Sequence, residues 1–339
     1  MATRVGFLGT GLIARFHALM LDGAHEPFEK AGCFDVDPEK AASFGEQFDY
    51  PVLGSEDEVL DGSDAVYVTT WTAEHKRLVE AAVARGIHVF CEKPLAVDAD
   101  QAADMAAAVD GAGLVNQVGL ILRRSPAFGL LKCLIEDPAA GRPMAVVFRD
   151  DQHIPIRGQY GSTWRGDPSK AGHGTLIEHS IHDLDILEFL LGPASSISCR
   201  TAEFHGIDRI EDVAAATIAF ANGATASLTS VWHDVDERPS LRHVEVFSER
   251  LYARLEGDWD GPLSFRFAGD AEETTLVHEE LATEARRRGA RLGNPDGSFL
   301  RAIAKGATAW PSLQDAVRAH VLADACYSSA DAGGAPVAV

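Results

Sequence analysis

From residue 4 to about residue 120 the chain alternates between short apolar runs and longer stretches whose apolar residues recur at helical spacing. The runs at 4–8, 31–36, 65–69, 87–90 and 114–118 predict strands, because each is brief, rich in β-branched or aromatic residues and bounded by turn-forming positions. Between them, 73–85 sets Leu78, Ala81 and Ala82 on one stripe, and 98–109 is an alanine-rich helix that Asp98 can cap. Strands that alternate with helices and are apolar on both faces predict a doubly wound parallel sheet, an α/β fold of the Rossmann type.

After about residue 120 the rhythm changes. The runs 217–220 and 224–232 flank Ala221-Asn222-Gly223, a turn that tolerates positive φ, and so predict an antiparallel hairpin. Runs at 144–148, 195–204, 243–247 and 263–267 extend that sheet, while 281–291, 298–304 and 312–325 predict helices. The expected architecture is a Rossmann domain over 1–120 and an α+β domain over 121–339 with a large, mostly antiparallel, open-faced sheet.

Length and composition agree with two ordinary globular domains: 339 residues, 46% hydrophobic and 24% charged. Subtracting 51 acidic from 30 basic residues leaves a formal charge of −21, a field that repels phosphate backbones and anionic membranes. Nucleic-acid and membrane partners are therefore not expected. The five cysteines are widely spaced and form no C-x-x-C pair, which fits a reducing compartment. No apolar run reaches the roughly 18 residues of a membrane helix, and the N-terminus lacks the apolar core of a signal peptide, so a cytoplasmic location is expected.

The first strand runs into Gly9-Thr10-Gly11-Leu12-Ile13-Ala14, a G-x-G-x-x-A pattern at a strand-to-helix junction. Gly9 permits the tight turn, Gly11 lets the backbone approach a pyrophosphate, and Ala14 allows close helix packing. Asp35 follows at the end of the second strand, where a carboxylate can accept hydrogen bonds from both ribose hydroxyls and would repel a 2′-phosphate. Because Val36 rather than an arginine comes next, NAD is expected over NADP.

Glu92-Lys93-Pro94 closes the fourth strand at its carboxyl end, where open α/β sheets bind ligands. Further on, 175–191 reads as one helix on which Glu178, His182 and Asp185 fall within an arc of about 60°, since residues three and four apart share a face. Leu176, Ile177, Ile181, Leu184 and Leu187 cover much of the rest, so the polar stripe is expected to line a cleft. Taken alone, such a stripe fits a buried structural network as well as it fits a catalytic base. Beside a nicotinamide-binding domain the catalytic reading gains, because oxidation of an alcohol releases a hydroxyl proton and imidazole titrates near neutrality.

Taken together, G-x-G-x-x-A, Asp35 and Glu92-Lys93-Pro94 resemble the glucose-fructose oxidoreductase, inositol dehydrogenase and MocA (Gfo/Idh/MocA) family of NAD(P)-dependent oxidoreductases. Trp164-Arg165-Gly166-Asp167-Pro168, Gly172-His173-Gly174 and the span from Glu178 through His182 to Asp185 extend the resemblance. So do Glu211-Asp212 and the Phe220–Gly223 turn, and the match covers nearly the whole chain. The resemblance implies Lys93, His182 and Glu178 as catalytic residues, with His182 relaying the proton and Lys93 hydrogen-bonding the reacting oxygen. It implies cofactor contacts from Gly9, Thr10, Gly11, Leu12, Ile13, Ala14, Asp35, Thr70, Trp71, His75, Glu92, Lys93, Trp164 and Arg165. Substrate contacts would come from Lys93, Arg123, His153, Trp164, Glu178, His179 and His182. The implied reaction moves a hydride between NAD and a secondary hydroxyl of a sugar, sugar derivative or cyclitol, in a homodimer or homotetramer built on the second domain's sheet.

Four departures from the family pattern bear on the substrate more than on the reaction: Glu178 where an aspartate is usual, His179 beside Ser180, His173 inside a glycine triplet, and Trp71 in place of proline. Two other readings remain open at this point. Glu178, His179, His182 and Asp183 have loose metal-ligand spacing for a hydrolase, although no metal is expected, and the glycine loop could serve a non-catalytic NAD-binding subunit.

Overall fold

The computed structural model describes residues 2–158 and 160–339. Its first stretch runs β1 (Thr3–Leu8), α1 (Leu12–Asp22), β2 (Phe28–Phe34), α2 (Pro38–Phe48), α3 (Glu56–Gly62), β3 (Ala65–Val68), α4 (His75–Ala84), β4 (His88–Cys91), α5 (Ala99–Gly111) and β5 (Asn116–Val118). The strands pair in parallel in the order β2-β1-β3-β4-β5, so all five carboxyl ends lie on one edge. Every residue of β3 is buried, as a strand covered on both faces requires. Asp98 caps α5 by accepting from the Gln101 N–H, and Asp37 and Ser55 cap α2 and α3 in the same way.

The chain continues with α6 (Pro126–Glu136), β6 (Pro143–His153), α7 (Pro168–Ala171), α8 (Thr175–Glu178), α9 (Ile181–Leu191), β7 (Ala194–Ala202), β8 (Val213–Phe220), β9 (Thr225–His233), β10 (Leu241–Ser248), β11 (Leu251–Glu256), β12 (Leu263–Phe267), β13 (Thr274–Leu276) and α10 (His278–Arg287). After α11 (Pro295–Lys305) and α12 (Leu313–Asp331) it ends on β14 (Val337–Ala338). The second sheet has the order β13-β12-β11-β10-β6-β9-β8-β7-β14, antiparallel except where β6 lies parallel to β9. Strand β9 alternates exposed Thr225, Ser227 and Thr229 with buried Ala226, Leu228 and Ser230, the pattern of a sheet with one covered face. On the covered side Phe148, Leu228 and Val246 share a core with Phe128 and Leu131 of α6 and Leu184 and Leu187 of α9. The Asn222 turn forms as expected, its side-chain oxygen accepting from the Ala224 N–H with Gly223 at φ 89°.

Contacts divide the chain into one unit of Met1–Ile121 with Asn294–Arg318 and another of Leu122–Gly293 with Ala319–Val339. This differs from a single cut at residue 120. The reason lies in α11, whose Phe299 meets the rings of Tyr67 and Phe90 edge-on and whose Leu300 and Ala302 are buried in the same core as Val5 and Phe7. Leu313 and Ala316 likewise close the core on the sheet's other face, beside Leu78 and Val89.

A second difference concerns 175–191, which is two helices and not one. Ser180 takes φ −78° and ψ 6°, and its hydroxyl donates to Ser230 Oγ at 2.6 Å while its N–H reaches back to the Thr175 carbonyl. A short hydroxyl side chain that finds its own partners competes with the helical ladder, and here it interrupts it. The strand at Leu251–Glu256, which the periodicity reading passed over, completes the β10–β11–β12 meander.

Candidate active site

In the first unit the candidate residues gather along the carboxyl edge of the parallel sheet. Gly9 leaves β1 at φ 88° and donates its N–H to the Phe34 carbonyl. A Cβ there would lie 2.7 Å from the Thr69 carbonyl oxygen, so the turn admits only glycine. Gly11 caps α1 with no side chain of its own, and a Cβ built on it would meet nothing within 4 Å. The first turn of α1 carries Leu12, 72% exposed, and buries Ala14. The free N–H groups of that turn and the space over Gly11 make a cradle that fits a pyrophosphate.

Asp35 accepts from the Thr10 N–H at 2.7 Å, from the Thr10 hydroxyl at 3.1 Å and from the Asp37 N–H at 2.9 Å. The carboxylate is thereby locked against the glycine loop. One strand further on, the Thr69 hydroxyl donates to the carbonyls of Leu8 and Gly9, joining the ends of β1 and β3. His75 spans the next junction, with Nδ1 2.9 Å from the Pro94 carbonyl and Nε2 3.2 Å from that of Thr70. Thr70 and Trp71 lie in the loop between these two anchors, both half-buried.

Beyond β4, Glu92 is buried and Lys93 half-buried. Glu92 Oε2 accepts the Lys93 main-chain N–H at 3.1 Å, and Oε1 meets His17 Nε2 at 3.0 Å. The other ring nitrogen of His17 lies 2.7 Å from Asp296 Oδ1. Gly119 borders this group so closely that a Cβ would come within 2.0 Å of Glu92 Oε1. Neither His17 nor Asp296 stands out in the sequence, because His17 occupies the apolar face of an amphipathic helix and Asp296 lies 279 positions further on, in a stretch expected to belong to the other domain.

In the second unit, Trp164 and Arg165 occupy the short 3-10 turn Thr163–Gly166, where the Arg165 guanidinium lies 4.5 Å from the Trp164 ring centroid and donates to Glu178 Oε2 at 2.9 Å. The break after α8 sends His179 elsewhere, to Asp150 Oδ2 at 3.0 Å. Asp150 also pairs with Arg242, which donates in addition to Asp183 at 2.6 Å and Asp258 at 2.6 Å. Burial pushes the Asp183 carboxyl up to about 7, against the pull of Arg242 and with the help of the Asp150 charge. Arg123 grips Asp185 with two bonds, at 2.9 and 2.7 Å. His182 is buried at the start of α9.

Glu178, His182 and Asp185 therefore do not lie on one uninterrupted helix. Glu178 serves Arg165, Asp185 serves Arg123, and Asp183 serves Arg242. The loose metal cluster is dispersed in the same way, and among the described residues no group of three or more histidine, cysteine or acidic side chains is gathered as ligands would be. His153 ends β6 with Nδ1 3.1 Å from the Ile154 carbonyl and Nε2 3.6 Å from Asp234, beside the small cluster of Ile154, Ala171, Ile210 and Trp232.

A further residue that anchors this region is Glu211. It accepts from the Gly174 N–H at 2.7 Å, the Leu176 N–H at 2.9 Å and the Tyr327 hydroxyl at 3.0 Å, and so fixes the start of α8. Burial pushes its carboxyl up to about 7, although these hydrogen bonds oppose the shift. His173 stacks on the Tyr327 ring at 4.1 Å between centroids, a contact available because glycine is absent at that position. All five cysteines are free, and no helix among the described residues is long and apolar enough to cross a membrane.

A family model described as "Oxidoreductase family, NAD-binding Rossmann fold" matches residues 3–120, and the corresponding "GFO/IDH/MocA C-terminal domain" matches 128–252. Inositol 2-dehydrogenase of Cereibacter sphaeroides is 28% identical over 99% of this chain and 96% of its own length. 1,5-Anhydro-D-fructose reductase of Ensifer adhaerens is 32% identical over 48% of this chain and 49% of its own. Among solved structures, levoglucosan dehydrogenase in complex with NADH and levoglucosan aligns over 100% of this chain and 99% of its own with a TM-score of 0.88 at 24% identity, a likeness of fold.

Proposed function

The chain belongs to the Gfo/Idh/MocA oxidoreductase family, and we propose that it transfers a hydride between NAD and a secondary hydroxyl of a sugar, a sugar derivative or a cyclitol, with Lys93 and His182 handling the hydroxyl proton. The observation that carries the reading is the strand-end cradle, in which the glycine loop, Asp35 and Lys93 share one edge of a parallel sheet. Near full-length similarity to an inositol 2-dehydrogenase supports the substrate class.

The nicotinamide, when bound, supplies the hydride acceptor or donor. Gly9, Thr10, Gly11, Leu12, Ile13 and Ala14 would hold the pyrophosphate, Asp35 the ribose, and Thr70, Trp71, His75, Glu92, Trp164 and Arg165 further parts of the coenzyme. Lys93 donates a hydrogen bond to the reacting oxygen and His182 takes up its proton as general base. Glu178 holds Arg165 in place, and Arg123, His153, Trp164 and His179 are proposed to complete recognition of a polyhydroxylated ligand. A homodimer or homotetramer would cover the outer face of the second sheet, where Val147 and Phe247 stand exposed at 41% and 38%.

The test is NADH formation across a panel of inositols, anhydrosugars, glycosides and sugar acids. Lys93→Ala and His182→Ala should each lower kcat by about two to four powers of ten while NAD binding, measured by calorimetry, stays within a few-fold. Turnover near the unmodified level in both variants overturns the assignment.

A further inference from the structure

We infer that His17 is a positioning residue for this reaction: clamped between Asp296 and Glu92, its imidazolium fixes the carboxylate that holds the Lys93 main chain. The inference rests on the reading of Lys93 given above, and it adds two residues that the G-x-G-x-x-A and Glu-Lys-Pro motifs do not contain.

The geometry is that of a linear relay inside one unit. His17 is fully buried on α1, one turn past the glycine loop. Its Nδ1 meets Asp296 Oδ1 at 2.7 Å and its Nε2 meets Glu92 Oε1 at 3.0 Å, so each ring nitrogen faces a carboxylate oxygen. A carboxylate oxygen accepts and does not donate, so a ring held between one on each side needs a proton on both nitrogens to make both bonds, which is the imidazolium. From β3, Tyr67 packs 5.3 Å from the ring centroid, and from β4, Phe90 packs at 4.7 Å, closing off water. The titratable groups facing His17 are thus Asp296 from α11, Glu92 from the end of β4 and Tyr67 from β3. Burial by itself would push the imidazole down, but the charges and hydrogen bonds of Asp296 and then of Glu92 outweigh it and hold it up at about 10.

The consequence is an orientation effect. With Oε1 committed to His17, Glu92 presents Oε2 to the Lys93 N–H at 3.1 Å, in a space that stays open to the carboxylate only because Gly119 carries no Cβ. A neutral residue at 17 would leave two buried carboxylates facing one gap, and the pair would relieve the repulsion by taking up a proton or by turning Glu92 outward. Either outcome loosens Lys93, and a displacement of about 1 Å at a reacting group can cost about a hundredfold in rate.

Two measurements test this. In the intact wild-type protein, nitrogen-detected NMR of the histidine rings should show His17 protonated on both nitrogens from pH 6 to pH 9; a ring that titrates to the neutral form near pH 7 overturns the inference, and this measurement needs no turnover. In His17→Gln, kcat with the substrate found in the panel should fall about ten- to a hundredfold while the KM for NAD changes less than threefold. A folded His17→Gln protein with wild-type kcat and only a lowered Tm would reduce His17 to a structural role and overturn the inference. Retention of activity in Lys93→Ala would instead defeat the underlying reading and leave the ring-protonation result standing.

Discussion

Asp35 offers a test in which the charge can be separated from the structure. Its carboxylate accepts three hydrogen bonds, from the N–H and hydroxyl of Thr10 and from the Asp37 N–H, so it is held beside the glycine loop. A 2′-phosphate carrying about two negative charges at about 5.5 Å from such a carboxylate would be repelled by about 1.5 kcal/mol at the dielectric of water, and by about 3 kcal/mol at half that value. The expected preference for NAD from this charge alone is therefore about ten- to a hundredfold. Asp35→Asn keeps an acceptor oxygen for Thr10 while removing the charge, whereas Asp35→Ala removes both. Steady-state kcat/KM for the two coenzymes, measured at low and at high salt, should show the NAD-to-NADP ratio falling at least tenfold in Asp35→Asn. The fall should shrink as salt screens the half-exposed site. An unchanged ratio in Asp35→Asn, or a wild-type enzyme that prefers NADP, refutes the electrostatic argument.

The remaining predictions concern the second unit. A Cβ on Gly174 would lie 1.9 Å from the Glu211 carbonyl oxygen and 2.7 Å from its nitrogen, with backbone on the approach, so Gly174→Ala should destabilise that unit by about 2–4 kcal/mol; a Tm within about 2 °C of wild type contradicts the tight packing. Asp183 and Glu211 have carboxyls raised to about 7, which means that the folded chain binds their protons more tightly than the unfolded chain does. Their contribution to stability is fully present in acid below the ordinary carboxylate range and declines as pH rises through about 7. Chemical denaturation from pH 4.5 to pH 8 should accordingly give a shallower decline for Glu211→Gln than for wild type, and identical slopes would show that Glu211 ionises normally.

Much of the fold could be read from residue pattern because it is local. The strands of the first domain, Asp98 as a cap and the Asn222-Gly223 turn each declare themselves within a few residues. What escaped the pattern depends on distant partners. Phe299 looks like any apolar helix position until Tyr67 and Phe90 receive it, and only that contact assigns Asn294–Arg318 to the first unit. The strand Leu251–Glu256 alternates apolar and polar residues but lacks a turn signal strong enough to separate it from Ser248-Glu249-Arg250. Among the candidate residues, the glycine loop and Lys93 were visible from spacing, whereas His17 and Asp296 gain meaning only as a pair 279 positions apart.

The break at Ser180 shows why the polar stripe on 175–191 misleads when read as helix periodicity. Helical spacing treats Glu178, His182 and Asp185 as one face, yet the Ser180 hydroxyl takes Ser230 as a partner and the chain turns before α9 begins. That turn assigns consecutive residues to different tasks: Glu178 to Arg165, His179 to Asp150 and Asp183 to Arg242. Three arginines thus meet carboxylates in bonds of 2.6 to 2.9 Å within this short stretch, each charge offset by a partner in the same unit. Pairing of this kind offsets part of the cost of burying these charges, although burial still pushes the Asp183 carboxyl up to about 7. It also means that replacing Glu178 by alanine acts through a released Arg165, so a loss of activity in that variant reports on positioning before it reports on chemistry.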